Sequence, residues 1–331
     1  MAGIGKRLRP HTLTIPKPLI PIAGKPIVQR MVEDIAEVCS AKIDEVAFVV
    51  GNFGKEVEKV LIDIARSLNA KGTIYYQQEA LGTAHAVLCA KESLNGEVVV
   101  AFADTLFKAG FKMDTSKDGN IWVHKVDDPA GFGVVKVNDD NEITAFVEKP
   151  GTFVSDLVIM GIYYFKDGVY LKNELQYLVD NDIKDKNEYQ ITSALENMKN
   201  KGTKFIPGKV SEWLDCGNKD ATIFANQRYL DYIKDSDLIA KSAIINNSVI
   251  IPPVFIGDNS EINNTVIGPY VSLSSNSKIF DSVIKNSIIQ KNSIIKNANI
   301  SNSMIGNFVN FEGKSLDMSL GDYNSVKNLT P

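Results

Sequence analysis

Met1 to Pro26 reads MAGIGKRLRPHTLTIPKPLIPIAGKP. Prolines at positions 10, 16, 18, 21 and 26 leave no room for a helix or a continuous strand, so this is a long shaped loop. Gly3 and Gly5 let backbone N–H groups approach an anion with no Cβ in the way, and Lys6, Arg7, Arg9, Lys17 and Lys25 supply positive charge. The expected ligand is a small polyphosphate. Neither common phosphate fingerprint fits: Leu8 stands where a dinucleotide fold needs glycine or alanine, and Gly24-Lys25 is followed by Pro26 where a P-loop needs Ser or Thr.

Outward from the loop, the chain alternates helical and strand patterns as far as Asp104. Ile27, Met31, Ile35 and Val38 share a helical face, Val46 to Val50 form an apolar strand, and Val57, Val60, Leu61 and Ile64 a second helix. Thr73 to Tyr76, Ala84 to Ala90 and Val98 to Phe102 continue as strand, helix and buried strand. This predicts a doubly wound, Rossmann-like α/β sheet, in which ligands sit beyond the carboxyl ends of the strands. Asp104, just past VVVAF, is then a ligand-facing carboxylate. Short strands near 121–126, 134–137, 143–147 and 159–165 and helices from about Gly168 and Gln190 extend the sheet, and a helix over 219–232 closes this half.

After about Leu238 the composition turns to Ile, Val, Asn and Ser, with a branched residue every five or six positions: Ile256, Ile262, Ile267, Leu273, Ile279, Ile284, Ile289, Ile295 and their neighbours. A six-residue period matches neither helix nor flat sheet, but fits a parallel β-helix whose short strands each turn one side chain inward. Asn and Ser suit its corners, because Asn tolerates the left-handed conformation. A β-sandwich would need turn signals about every eight to twelve residues. Two domains follow, 1–232 and 233–331.

The 331 residues carry a net charge of −4, so the basic cluster is local and no nucleic-acid partner is expected. Cys39, Cys89 and Cys216 are too scattered for a disulfide framework or a zinc site and suit the reducing cytoplasm. No apolar run is long enough to span a membrane.

The segments AGIGKRLRP (2–10), PKPLIPIAGKP (16–26), QQEALGTAHAV (77–87), ADTL (103–106), GFGVV (131–135), VEKP (147–150), MGIYYF (160–165) and WLDCG (213–217) stand in an order that resembles the sugar-1-phosphate nucleotidyltransferases. Within that family the chain is most similar to glucose-1-phosphate thymidylyltransferase-like members with a C-terminal left-handed β-helix. The resemblance implies joining of a nucleoside triphosphate to a sugar 1-phosphate, with release of pyrophosphate, by in-line attack on the α-phosphorus. Such a reaction rests on positioning and charge neutralisation.

Carried over by motif, Arg7 and Lys17 would be the catalytic cations, with Gly3, Gly5, Lys6, Gln77 and Gly82 on the nucleotide. Gly133, Glu148, Lys149, Tyr163 and Trp213 would hold the sugar phosphate, and Asp104 with Asp215 would share a Mg²⁺. For Trp213, core packing is an equal alternative; for His85 and Cys89, packing is the expectation. Phe132 stands where some thymidylyltransferases have tyrosine. The implied substrates are dTTP or UTP with glucose 1-phosphate, then GTP with mannose 1-phosphate; a non-catalytic nucleotide-sugar sensor is the rival reading. Acyl transfer on the β-helix is disfavoured because His11, His85 and His124 all precede it. The β-helix is expected to mediate homo-oligomer assembly. Family members carry an apolar strand ahead of the glycine loop, whereas here Met1 stands at the loop. The expectation is a polypeptide starting about five to eight residues upstream.

Overall fold

A computed structural model describes residues 5–39, 41–110 and 112–314 and divides into two compact units, Met1–Ala225 and Asn226–Pro331. In the first unit, helix α1 (Ile27–Val38) buries Ile27, Met31, Ile35 and Val38, the face its periodicity sets apart. Strand β1 (Glu45–Val50), helix α2 (Lys55–Ser67) and strand β2 (Lys71–Tyr76) form a crossover unit, with β1 and β2 parallel from Glu45 opposite Lys71 to Val50 opposite Tyr76. Helix α3 (Thr83–Cys89) leads to β3 (Val98–Ala101) and β4 (Thr105–Lys108).

The remaining strands are β5 (Gly119–Lys125), β6 (Val134–Val137), β7 (Ile143–Val147), β8 (Leu157–Phe165), β9 (Phe205–Lys209) and β10 (Glu212–Asp215). Helices α4 (Gly168–Asp180) and α5 (Ile191–Asn200) fall between β8 and β9, and α6 (Lys219–Tyr232) follows β10. The main sheet is mixed, in the order β9-β5-β8-β6-β7, with β3 antiparallel on β8. Its core gathers Ile121, Tyr163, Phe165, Leu171, Ala194 and Phe205, each at most 2% exposed.

The α/β core is as expected, but the parallel sheet through β1, β2 and β3 is not continuous. Among the described residues, β1 has only β2 as a ladder partner and β3 has only β8. Apolar strands of this kind are normally covered on both faces and paired on both edges. Here Val46, Val49, Val98 and Val99 are only half-buried.

The second unit is a parallel β-helix. Its three sheets stack strands one coil apart, as in 244–246, 261–263, 278–280, 294–296 and 310–312. Ile262, Ile279 and Ile295 from one sheet, Ile267 and Ile284 from the second, and Ile256, Leu273 and Ile289 from the third meet inside, each at 0% exposure. The corners are left-handed: Asn247 (φ 44°), Asn264 (φ 51°), Asp281 (φ 48°) and Asn297 (φ 51°) mark one of them. Asn247 Nδ2 donates to Asn264 Oδ1 at 2.8 Å, and Asn264 Nδ2 to Asp281 Oδ1 at 3.1 Å, each 17 residues on. Among the described residues, no helix is long and apolar enough to cross a membrane.

Candidate active site

Gly5 sits at φ 62° and caps the single turn Lys6–Leu8. A Cβ there would stand 3.0 Å from Lys17 Cβ and 3.1 Å from Thr12 Cγ2, so glycine lets the loop close on Lys17. Thr12 Oγ1 donates to the Gly5 carbonyl at 2.9 Å and pins the turn. Leu8 is buried beneath it, whereas Lys6 and Arg7 are exposed. Gly3 lies outside the described residues. Lys25, counted among the loop cations, is already partnered: its Nζ bonds both carboxylate oxygens of Glu33 at 2.8 and 2.9 Å.

Lys17 opens a second single turn, Lys17–Leu19, fixed by Pro16 and Pro18. Its side chain is 9% exposed, and its Nζ lies 2.9 Å from Asp104 Oδ2. Asp104 stands just ahead of β4, which pairs antiparallel with β10 so that Thr105 faces Asp215. The Cys216 N–H donates to the Asp104 carbonyl at 3.1 Å, which sets the two aspartates on neighbouring chain segments. Gly217 completes the turn, since a Cβ there would press on Asp215 Oδ2 at 2.7 Å.

Burial pushes the Asp215 carboxyl above the usual carboxylate range. Lys17 and Arg7 pull it back, Asp104 adds to the rise, and the Gly217 N–H favours the ionised form. Four residues from three distant stretches thus feel one another's charge.

On the nucleotide side, Gln77 is 8% exposed and its Nε2 donates to the Gly82 carbonyl at 3.1 Å, with His85 Nδ1 also at 3.1 Å. The amide nitrogen is committed to its own loop, which leaves Oε1 as the atom able to meet a base edge. Gly82 has φ 114°, and a Cβ would strike the Tyr189 carbonyl oxygen at 2.4 Å. Cys89 Sγ rests 4.0 Å from His85 Nδ1, a packing role for that pair.

On the sugar side, Glu148 is held by Thr192 Oγ1, which donates to Oε2 at 3.1 Å, and its Oε1 lies 3.5 Å from Lys149 Nζ. A Cβ on Gly133 would meet Glu148 Oε2 at 3.1 Å. The Lys149 backbone is left-handed (φ 40°) and its N–H bonds the Phe132 carbonyl at 3.1 Å. Tyr163 is buried on β8, and burial followed by the nearby Glu148 charge drives its hydroxyl pKa upward. Its ring meets Phe102 edge-on at 5.6 Å, two residues before Asp104. Trp213 packs against Phe132 at 5.3 Å and His124 at 6.0 Å, and its buried indole N–H has no hydrogen-bond partner among the described residues.

Sequence reading missed the segment Tyr189–Thr192, which ties the two sides together. The Tyr189 N–H bonds the Leu81 carbonyl and its carbonyl accepts from Ala84, both at 2.8 Å. Thr83 Oγ1 donates to Gln190 Oε1 and accepts from the Ile191 N–H, and Thr192 reaches Glu148. Arg30 was missed as well: buried in α1, it donates to the Ile22 carbonyl at 3.2 Å and to that of Ala23, shaping the turn that follows Lys17. A single polar residue inside an apolar helical pattern is the available signal for Arg30; for Tyr189–Thr192 there is none short of the fold.

A family profile described as nucleotidyl transferase matches residues 1–232. The bifunctional protein GlmU of Methanococcus maripaludis is 32% identical over 254 residues, which cover 76% of this chain and 58% of that protein. The chain thus spans somewhat under three fifths of that relative's length. The glucose-1-phosphate thymidylyltransferase of Streptomyces antibioticus is 31% identical over 268 residues, 78% of this chain and 72% of its own. In fold, a UDP-glucose pyrophosphorylase solved with UDP-glucose matches with a TM-score of 0.58 at 24% identity, covering 70% of this chain and 96% of the other. The chain belongs to the nucleotidyl transferase family.

Proposed function

We propose that this chain joins a nucleoside triphosphate to a sugar 1-phosphate, with dTTP or UTP and glucose 1-phosphate as substrates. An oxygen of the sugar phosphate attacks the α-phosphorus in line, and the bond to the departing pyrophosphate breaks. The observation that carries this reading is the Lys17–Asp104 ion pair, with Asp215 on the facing strand and the Arg7 charge felt there. A site of cations and carboxylates suits phosphoryl chemistry, in which charge is neutralised and reactants are aligned.

Arg7 and Lys6, exposed on the loop, face the triphosphate from solvent, and Lys17 exchanges Asp104 for phosphate oxygens. Gln77 Oε1 and the Gly82 backbone read the base, Glu148 accepts from sugar hydroxyls, and Lys149 holds the sugar's phosphate. Two carboxylates plus phosphate oxygens and water fit Mg²⁺, a hard cation that rarely needs an all-protein cage. Among the described residues no cluster of three acidic, His or Cys side chains offers such a cage. Asp104 and Asp215 would hold the ion, which when bound neutralises phosphate charge. The name of the Streptomyces relative and the UDP-glucose in the structural neighbour favour pyrimidine nucleotides and glucose 1-phosphate.

The test is Mg²⁺-dependent pyrophosphate release across five nucleoside triphosphates, each with glucose or mannose 1-phosphate. Asp104→Asn and Asp215→Asn should each lower turnover by about a hundredfold or more. Undiminished turnover in both variants would remove the carboxylate pair from the mechanism. Nucleotide binding without pyrophosphate release would turn the reading to a sensor.

A further inference from the structure

The side chain of Gln77 admits one orientation, and His85 shares in setting it. The Gln77 backbone N–H donates to the Val50 carbonyl at 2.9 Å, just past the last β1–β2 pair, which fixes where the side chain starts. Gly82 caps α3, and His85 stands on the first turn of that helix. One end of the Gln77 amide has two neighbours at 3.1 Å, the Gly82 carbonyl and His85 Nδ1. A carbonyl only accepts, so the NH₂ must lie there; an oxygen in its place would face another oxygen. An amide nitrogen offers no acceptor lone pair, so its second hydrogen requires a lone pair on His85 Nδ1. The ring proton therefore sits on Nε2. The Cys89 thiol, 4.0 Å from Nδ1, is a weak donor toward the same nitrogen. Two donors thus converge on one lone pair.

We infer that His85 is a positioning residue for base selection. Its Nδ1 lone pair and the Gly82 carbonyl together hold the Gln77 amide so that Oε1 is the atom offered to the base. This favours bases that carry an N–H on the central ring nitrogen of their pairing edge. The inference rests on the nucleotidyltransfer reading and deepens its base-reading part. Among the described residues nothing donates to Oε1, which is an acceptor only. Uracil, thymine and guanine present the matching N–H. Cytosine and adenine turn a lone pair to the same spot, which sets acceptor against acceptor, and they bring an exocyclic amino group to Oε1 only by sliding sideways. Turning the amide over to suit them is opposed twice, because Oε1 would then face both the Gly82 carbonyl and His85 Nδ1. Gln77 is 8% exposed, so a mismatched pair there stays buried and unmade.

The test compares His85→Leu, which fills the space without an acceptor, with His85→Asn, whose amide oxygen has about the reach of Nδ1. Dissociation constants of UTP and CTP are measured by calorimetry on the full chain. The parent should prefer UTP; His85→Leu should lower the UTP-to-CTP affinity ratio by about tenfold or more, and His85→Asn should restore most of it. A role in packing alone would favour Leu over Asn or weaken both nucleotides alike, and either result overturns the proposal. A parent that binds CTP as tightly as UTP overturns it as well. In the parent, long-range proton–nitrogen NMR of the imidazoles, resolved with His11 and His124 variants, should show His85 protonated on Nε2 and bare on Nδ1. A proton on Nδ1 would overturn the proposal even if neither His85 variant folds. Absence of pyrophosphate release, with ratio and tautomer as expected, would remove the nucleotidyltransfer reading and leave base selection in place. Normal release with an unchanged ratio would do the reverse.

Discussion

The β-helix and the β1–β3 region are built from the same side chains and end in different states. In the second unit Ile262, Ile279 and Ile295 stack at 0% exposure, with a strand on each side of every interior coil. In the first, Val46, Val98 and Val99 come from equally apolar runs and stay half-buried. Among the described residues, ladder completeness makes the difference. The buried polar inventory differs too. Among the described residues, the second unit buries hydroxyls and amides such as Ser260, Ser277, Ser293 and Gln290, whereas every buried charge, Lys17, Arg30, Asp34 and Glu174, lies in the first. One unit is closed and repetitive; the other keeps buried charge, which costs stability and at Lys17 belongs to the candidate site.

The sharpest way to break this contrast is truncation at matched positions. Ile279→Ala should cost about 2–5 kcal/mol, because its coil neighbours on both sides cannot collapse into the void. Val99→Ala should cost below about 1 kcal/mol, since its side chain already borders open space. Local amide exchange at 278–280 and 98–101 reads the two effects separately. Equal costs would show that the β1–β3 region is as well packed as the β-helix.

A smaller effect tests the corners. Asn276 has φ 60° and accepts from Asn259 Nδ2 at 3.3 Å, so Asn276→Val should cost about 1–2 kcal/mol from left-handed backbone strain. Asn276→Gly should cost a few tenths, which separates conformation from the side-chain ladder. Denaturant midpoints of the β-helix transition distinguish the pair. Similar losses in both variants would mean that the amide bond, not the backbone, fixes the corner.

The β-helix was legible because each coil repeats one solution: an inward branched residue, a left-handed Asn, a Ser. Its 16- and 17-residue coils, three faces each, are the five-to-six-residue period seen in the sequence. The helix Ile27–Val38 was legible from periodicity, and Asp104 from its place after an apolar strand. The interruption between β1 and β3 was not legible in those strands themselves, because VAFVV and VVVAF read as central strands whether or not anything lies between them; it was expected only through the resemblance, from the apolar strand that family members carry ahead of the glycine loop. Long-range partners were invisible: nothing in KPL announces Asp104, and Thr192 has no local mark that it reaches Glu148. Lys25 misled, because a loop lysine carries no sign that Glu33 will stand beside it one helical face away.

The last prediction concerns the charge that the first unit tolerates and the β-helix avoids. Asp215 has a folded-state pKa above its unfolded value, with burial as the leading cause, so its ionised form is disfavoured by folding. Over the window from the ordinary carboxylate range up to that raised value, the folded state binds more protons than the unfolded. Stability from this group therefore falls as pH rises, and the loss is complete above the folded pKa. Asp215→Asn removes the ionisation, so the metal-free variant should be modestly more stable than the parent at neutral pH. The advantage should shrink as pH drops through the window and vanish below it. Lys17→Met should move the Asp215 titration further up, because Lys17 is the strongest influence holding it down. Carboxyl carbon NMR of Asp215 and denaturant midpoints from pH 4 to 8 measure both. An Asn variant less stable than the parent at neutral pH would mean that the ionised carboxylate is a structural anchor, and the comparison of a strained site unit with a relaxed solenoid would lose its electrostatic half.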